Sequence, residues 1–120
     1  MIKLLLRAPK RFGKSFGFSW DGLKATYHKE ESFRLESIAF AVVLVCLYLS
    51  SWPSWKQLVL MASYLLIPLV EILNSAIEDI CDGITREYRP FIKNAKDKGA
   101  LAVLVSIIFN AVVLAALIAC

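Results

Sequence analysis

Three uncharged runs organise the chain: Ser37 to Trp55, Gln57 to Val70, and Gly99 to Cys120. A helix that crosses a bilayer needs about 20 apolar residues, so the first and third runs suffice as they stand. The second reaches that length only by continuing past Glu71 through Ile72 to Ile77, which requires Glu71 to face protein or water rather than acyl chains. The pattern predicts an all-α membrane protein of one domain. Its parts are an interfacial helix region over 1–35, spans at 36–54, 56–78 and 99–119, and a polar connection with a helix start over 79–98.

Ahead of the first span, Phe12, Phe16, Trp20, Leu23 and Tyr27 recur every three or four residues among lysines and arginines. That spacing predicts an amphipathic helix lying at a membrane surface. Pro9 suits a first helical position, Gly13, Gly17 and Gly22 are expected to break or kink the helix, and Ser19 can cap a restart. Trp52 and Trp55 flank Pro53 in the turn after the first span, where interfacial aromatics belong. Pro68 sits inside the second span and is expected to bend it about one turn before Glu71, and Tyr88-Arg89-Pro90 is expected to end that helix's polar extension. In the third span Ala111, Ala115 and Ala119 form a small-residue ridge suited to close helix packing.

The second span concentrates nearly all the buried polarity on one side. At about 100° per residue, Glu71, Asn74, Ser75, Glu78 and Asp82 share a stripe roughly 100° wide. A carboxylate at bilayer depth costs on the order of several kcal/mol and is functional by default.

Composition fits this picture and charge orients it. The 120 residues are 58% hydrophobic with a formal net charge of +4. Of the 14 basic residues, Lys3, Arg7, Lys10, Arg11, Lys14, Lys24, Lys29 and Arg34 precede the first span, Arg86, Arg89, Lys93, Lys96 and Lys98 separate the second from the third, and Lys56 alone sits in the first turn. Basic residues in short flanks favour the cytosolic side. The amino terminus and the 79–98 connection are therefore expected inside, and Cys120 outside. Leu4 to Leu6 is too short an apolar core for a signal peptide.

Several chemistries are excluded. Cys46, Cys81 and Cys120 are odd in number and assigned to different depths, which disfavours disulfides. A single histidine, His28, without paired cysteines leaves no zinc site. Gly13-Lys14-Ser15 has the tail of a P-loop, but the spacing demands glycine where Ala8 stands and an upstream strand. Nothing in the pattern asks for nucleic acid.

What remains suits phosphate chemistry. Two carboxylates can hold Mg²⁺ against substrate phosphates, because the ion prefers hard oxygen ligands and keeps several waters. Glu78 is one candidate, and Glu30 or Glu31, just before the first span, can supply the second. Lys96, Arg89 and Arg11 can neutralise phosphate from the same side. Glu71 lies about 10 Å deeper than Glu78 by helical rise, where a carboxylate kept partly dry can take a proton from a hydroxyl at the lipid boundary.

The blocks Trp20-Asp21-Gly22-Leu23-Lys24-Ala25, Glu30-Glu31-Ser32-Phe33-Arg34-Leu35-Glu36, Val70-Glu71-Ile72-Leu73-Asn74-Ser75-Ala76-Ile77-Glu78, Asp82, Glu87-Tyr88 and Ala95-Lys96-Asp97-Lys98-Gly99 closely resemble the small prokaryotic diacylglycerol kinases. The resemblance runs from about Arg11 to the end. It implies a homotrimer of the bacterial inner membrane that transfers the γ-phosphoryl of MgATP to diacylglycerol, giving phosphatidic acid and ADP. It further implies Glu71 as general base and Glu30 with Glu78 as the metal pair. Arg11, Phe18, Glu30, Glu78, Glu87, Tyr88, Arg89, Lys96 and Asp97 match positions that contact ATP. Arg11, Trp20, Phe33, Arg34, Glu36 and Glu71 match the lipid-contacting neighbourhood, with Asn74 orienting the base or the lipid and Asp82 in support. Phe18 stands where well-known members carry Tyr, so it can stack on nucleotide but not donate to it. Arg89 and Ala100 also depart from the family's pattern.

Duller readings compete. Glu30 and Arg34 are spaced as an ordinary helical ion pair, Asn74 and Ser75 can simply join helices, and the cations from Arg86 to Lys98 suit anionic lipid alone. The related undecaprenol kinases share the core stripe, leaving a polyprenol acceptor as the alternative. A small oligomeric transporter or scaffold is the alternative outside kinase chemistry.

Overall fold

A computed structural model describes the backbone of residues 2–120 and the side chains from Lys10 onward. All regular structure among the described residues is α-helical: α1 (Ile2–Lys29), α2 (Glu31–Leu49), α3 (Ser54–Ile84) and α4 (Pro90–Ala119). Helices α2, α3 and α4 are each long and apolar enough to cross a membrane. The chain divides into two compact units, residues 1–34 and residues 35–120.

The first unit is mostly α1. It starts at Ile2 and runs without interruption to Lys29, so Pro9 falls inside it and none of Gly13, Gly17 or Gly22 breaks it. No described glycine has positive φ. A helical glycine costs only about 1 kcal/mol relative to alanine, which the flanking turns absorb. Ser19 caps nothing: its hydroxyl donates to the Ser15 carbonyl within the helix at 2.9 Å. Phe12, Phe16, Phe18 and Trp20 all stand exposed. His28 and Lys29 occupy the last turn, where cations complement the helix dipole. Arg34 reinforces that end by donating from Nη1 to the carbonyls of Tyr27 and His28 at 3.0 and 3.1 Å.

The second unit is built around the α3–α4 pair. Leu47 of α2, Leu60 of α3 and Leu117 of α4 form a buried cluster, with Val43, Trp52, Met61 and Val113 packed against it. Along α4, Ile92, Gly99, Ser106 and Leu117 are buried, and Asn110 donates from Nδ2 to the Ser63 hydroxyl of α3 at 2.9 Å. Small side chains therefore line this seam, as close helix approach requires. The hydroxyls of Ser63 and Ser106 turn back onto their own helices, donating to the carbonyls of Leu60 and Val103. The Ala111, Ala115 and Ala119 ridge lies on another side of α4 and is exposed on the single chain. Large apolar side chains such as Val42, Val45, Leu58, Leu65, Leu104 and Val105 also stand exposed, an arrangement suited to acyl chains rather than water.

Lys56 locks the end of the unit where α3 begins. Its Nζ donates to the carbonyls of Leu117 and Cys120 at 2.8 Å each, satisfying acceptors that a helix C-terminus leaves open. The same ammonium lies 5.5 Å and 5.7 Å from the ring centroids of Trp52 and Trp55. At the opposite end, α3 stops at Ile84, earlier than the Tyr88-Arg89-Pro90 boundary expected from sequence. Thr85 makes the turn, accepting the Glu87 amide on its hydroxyl at 3.0 Å. Arg89 is extended, as the residue before a proline must be, and Pro90 opens α4 at its first turn.

Candidate functional site

Two layers of polar side chains rise along α3 toward that turn. The deeper layer holds Glu71, half-buried, with Glu36 of α2 beside it, the two carboxyl groups within hydrogen-bonding reach of each other. Tyr64, about two turns below Glu71, ties the helices together by donating to the Glu36 backbone carbonyl at 3.2 Å and packing its ring 5.2 Å from that of Phe40. One oxygen of each carboxyl, Oε2 of Glu36 and Oε2 of Glu71, is buried without a hydrogen-bond partner. Buried carboxylate oxygens without donors are costly, so this pair is poised for a hydroxyl.

The next layer holds Asn74, Glu78 and Asp82. Asn74 donates from Nδ2 to Glu78 Oε1 at 3.2 Å, while its own Oδ1 is buried and unpartnered. Its amide therefore serves Glu78, one turn further on. Lys96 of α4 donates to Asp82 Oδ1 at 2.6 Å. Accepting that bond, Asp82 raises the Lys96 ammonium above the ordinary lysine value, so this cation persists where a free lysine would discharge.

Beyond Asp82, the α3–α4 turn encloses a cavity of about 610 Å³, within the range of about 300–1,000 Å³ usual for small-molecule sites. Glu87, Tyr88, Arg89, Lys96 and Asp97, all expected at nucleotide, line it together with Asp82. Arg86 and Lys93 line it as well. Sequence reasoning gave those two only a topological role; their signal was a spacing from Arg89 and Lys96 that places them on the same turn. Arg89 lies 3.5 Å from Glu87, and Lys93 pairs with Asp97 one turn along α4. The cavity thus carries four cations, three of them held by carboxylates.

The chain belongs to the prokaryotic diacylglycerol kinase family. That family matches residues 17–118, which takes in both polar layers and the cavity. The diacylglycerol kinase of Escherichia coli strain K12 is 41% identical over 101 residues, covering 82% of this chain and 80% of the relative. Those of Helicobacter pylori strain 26695 and Pseudomonas aeruginosa strain PAO1 are 35% and 34% identical, covering 83% and 82% of this chain and 78% and 80% of the relatives. This diacylglycerol kinase is accordingly a lipid kinase, with three apolar helices that suit an integral membrane protein.

The remaining expected site residues of the kinase belong to the first unit. Phe18 and Trp20 present exposed rings, Arg11 is exposed, Glu30 is half-buried with Lys29 at 3.7 Å, and Phe33 is buried. Arg34 is engaged by the end of α1 as described. Among the described residues no three acidic, histidine or cysteine side chains gather into a cation cage. Glu78, one turn before Asp82 of the cavity lining, offers a hard carboxylate oxygen beside the Asn74 amide, a donor type that fits Mg²⁺ completed by waters and substrate phosphates.

Proposed function

We propose that this enzyme transfers the γ-phosphoryl of MgATP to the primary hydroxyl of diacylglycerol at the cytosolic surface of the bacterial inner membrane, with its amino terminus inside, as a homotrimer. The observation that carries this reading is the order of groups along α3: the Glu71 carboxyl met by Glu36 of α2, then Glu78, then a cation-lined cavity at the α3–α4 turn. A lipid hydroxyl already resides at the depth of the first and a nucleotide arrives from the side of the last. Extraction of the lipid is unnecessary.

In this reading α1 lies at the interface, with Arg11 and Trp20 near the lipid and Phe18 stacking on the nucleotide base. Lys96 and Arg89, with Glu87, Tyr88 and Asp97, bind the ATP, and Lys96 keeps its charge through its bond to Asp82. Glu30 and Glu78 would hold Mg²⁺, which when bound neutralises charge on the transferring phosphate oxygens. Phe33, Arg34 and Glu36 border the glycerol end of the lipid. Glu71 accepts the hydroxyl proton as that oxygen forms its bond to the γ-phosphorus, the bond to the β-phosphate bridging oxygen breaks, and ADP departs. Catalysis is then mostly positioning and charge neutralisation.

Purified protein incubated with labelled ATP and Mg²⁺ should convert diacylglycerol to labelled phosphatidic acid far faster than it labels undecaprenol. Preferential labelling of undecaprenol would replace the acceptor, and ATP consumption with neither lipid would end the kinase reading.

A further inference from the structure

Gly99 of α4 is buried, yet its backbone is ordinary helix that any residue could adopt. What it supplies is space. A β-carbon at this position would overlap Asn74 Oδ1 and lie 3.1 Å from Asn74 Cγ. The other described glycines, Gly13, Gly17, Gly22 and Gly83, have nothing nearby that a β-carbon would meet. Gly99 alone among them has its missing side chain replaced by a side chain from another helix.

The chemistry of the amide explains the orientation. The Glu78 carboxylate can only accept, so the Asn74 nitrogen must face it, and the amide oxygen is thereby turned onto α4 at Gly99. No protein donor meets that oxygen. Its place is set by shape. The spacing of α3 and α4 is set elsewhere along the seam, by Asn110 on Ser63, by Leu60 against Leu117, and by Lys56 on the end of α4. A methyl group at 99 is therefore relieved by rotating Asn74 rather than by separating the helices.

We infer that Gly99 is a positioning residue of the phosphoryl-transfer site: it seats the Asn74 amide, which holds the Glu78 carboxylate in place. The inference rests on the reading of Glu78 as a carboxylate that holds Mg²⁺. Gly99 touches no substrate; it acts through Asn74.

The test compares Gly99→Ala, Asn74→Ala, the double variant and Glu78→Gln in the full-length protein. Two quantities are read: the Mg²⁺ dependence of diacylglycerol phosphorylation, and Mn²⁺ binding by electron paramagnetic resonance with a non-hydrolysable ATP analogue and no lipid. Gly99→Ala should raise the Mg²⁺ midpoint and weaken Mn²⁺ binding by about tenfold, the scale on which residues supporting a metal ligand act, with an unchanged gel-filtration profile. Asn74→Ala should do the same, and the double variant should be no worse than Asn74→Ala, since the clash has lost its partner. Normal cation dependence in Gly99→Ala, or losses that multiply in the double variant, overturns the inference. Should Gly99→Ala fail to assemble, recovery of assembly in the double variant supports the contact, and failure of both assigns the glycine to helix approach and overturns it. If Glu78→Gln keeps wild-type cation binding while the Gly99 and Asn74 effects remain coupled, it is the metal assignment that falls.

Discussion

The two ends of the α3–α4 pair are built from the same kinds of residue and finished in opposite ways. At the Lys56 end, one ammonium closes two carbonyls of α4, two tryptophan rings flank it, and three leucines from three helices pack beneath. At the Glu71 end, three buried oxygens on Glu36, Glu71 and Asn74 have no protein donor, and a cavity opens between the helices. The same pair of helices spends its polar groups on itself at one end and withholds them at the other. In the proposed reaction, incomplete satisfaction marks the end that handles substrates, because a donor supplied by the protein would compete with the hydroxyl and phosphates that must arrive.

The contrast can be broken most severely at Glu71. Glu71→Gln should lower turnover by about 10³-fold, within the range of about 10²–10⁴-fold that general-base catalysis contributes, while ATP binding by equilibrium dialysis stays near wild type; substantial retained turnover would falsify its role as base. Glu78→Gln should follow, with a loss of about 10²-fold or more that excess Mg²⁺ partly restores. Next comes Lys96→Met, for which an increase of about tenfold in KM for ATP with little change in kcat is expected, as uniform-binding losses appear. A drop confined to kcat would move Lys96 from nucleotide binding to the chemical step.

The titration of Lys96 sharpens the same point. Its value is raised by Asp82, so its binding contribution is complete below the ordinary lysine range and is lost only as pH rises through the raised value. Asp82→Asn should bring the alkaline rise in KM for ATP to lower pH; an unshifted profile would show that Lys96 does not report through that bond. The smallest effect on catalysis belongs to the opposite end. Lys56→Met removes two charged hydrogen bonds, so stability should fall by about 1–3 kcal/mol, read as a lower unfolding midpoint in detergent, while KM and kcat of the folded enzyme are unchanged.

The spans were legible because exclusion of charge over about 20 residues is a one-dimensional signal. The stripe from Glu71 to Asp82 was legible for the same reason, since helical periodicity alone aligns it. Breaks in α1 were expected from single glycines, whose cost is small against a long continuous helix. The end of α3 was misplaced by a few residues because Thr85, through its hydroxyl on the Glu87 amide, turns the chain before Pro90 demands it. Contacts across helices were out of reach of pattern reading. That Lys56 reaches Leu117 and Cys120, or that Gly99 faces Asn74, depends on the register of two helices joined by a turn, and nothing local encodes that register.

The length of α3 has a further consequence. Its 31 residues span about 46 Å at the helical rise, against a hydrocarbon thickness of about 30 Å. The surplus must protrude, tilt or be met by a thicker lipid layer. How far Glu71 sits below the headgroups thus depends on acyl-chain length in the host membrane, and long-chain phospholipids would submerge this proposed base while short ones would wet it. Turnover in vesicles of graded thickness should therefore pass through a maximum, making the enzyme a gauge of the very bilayer whose lipid it modifies.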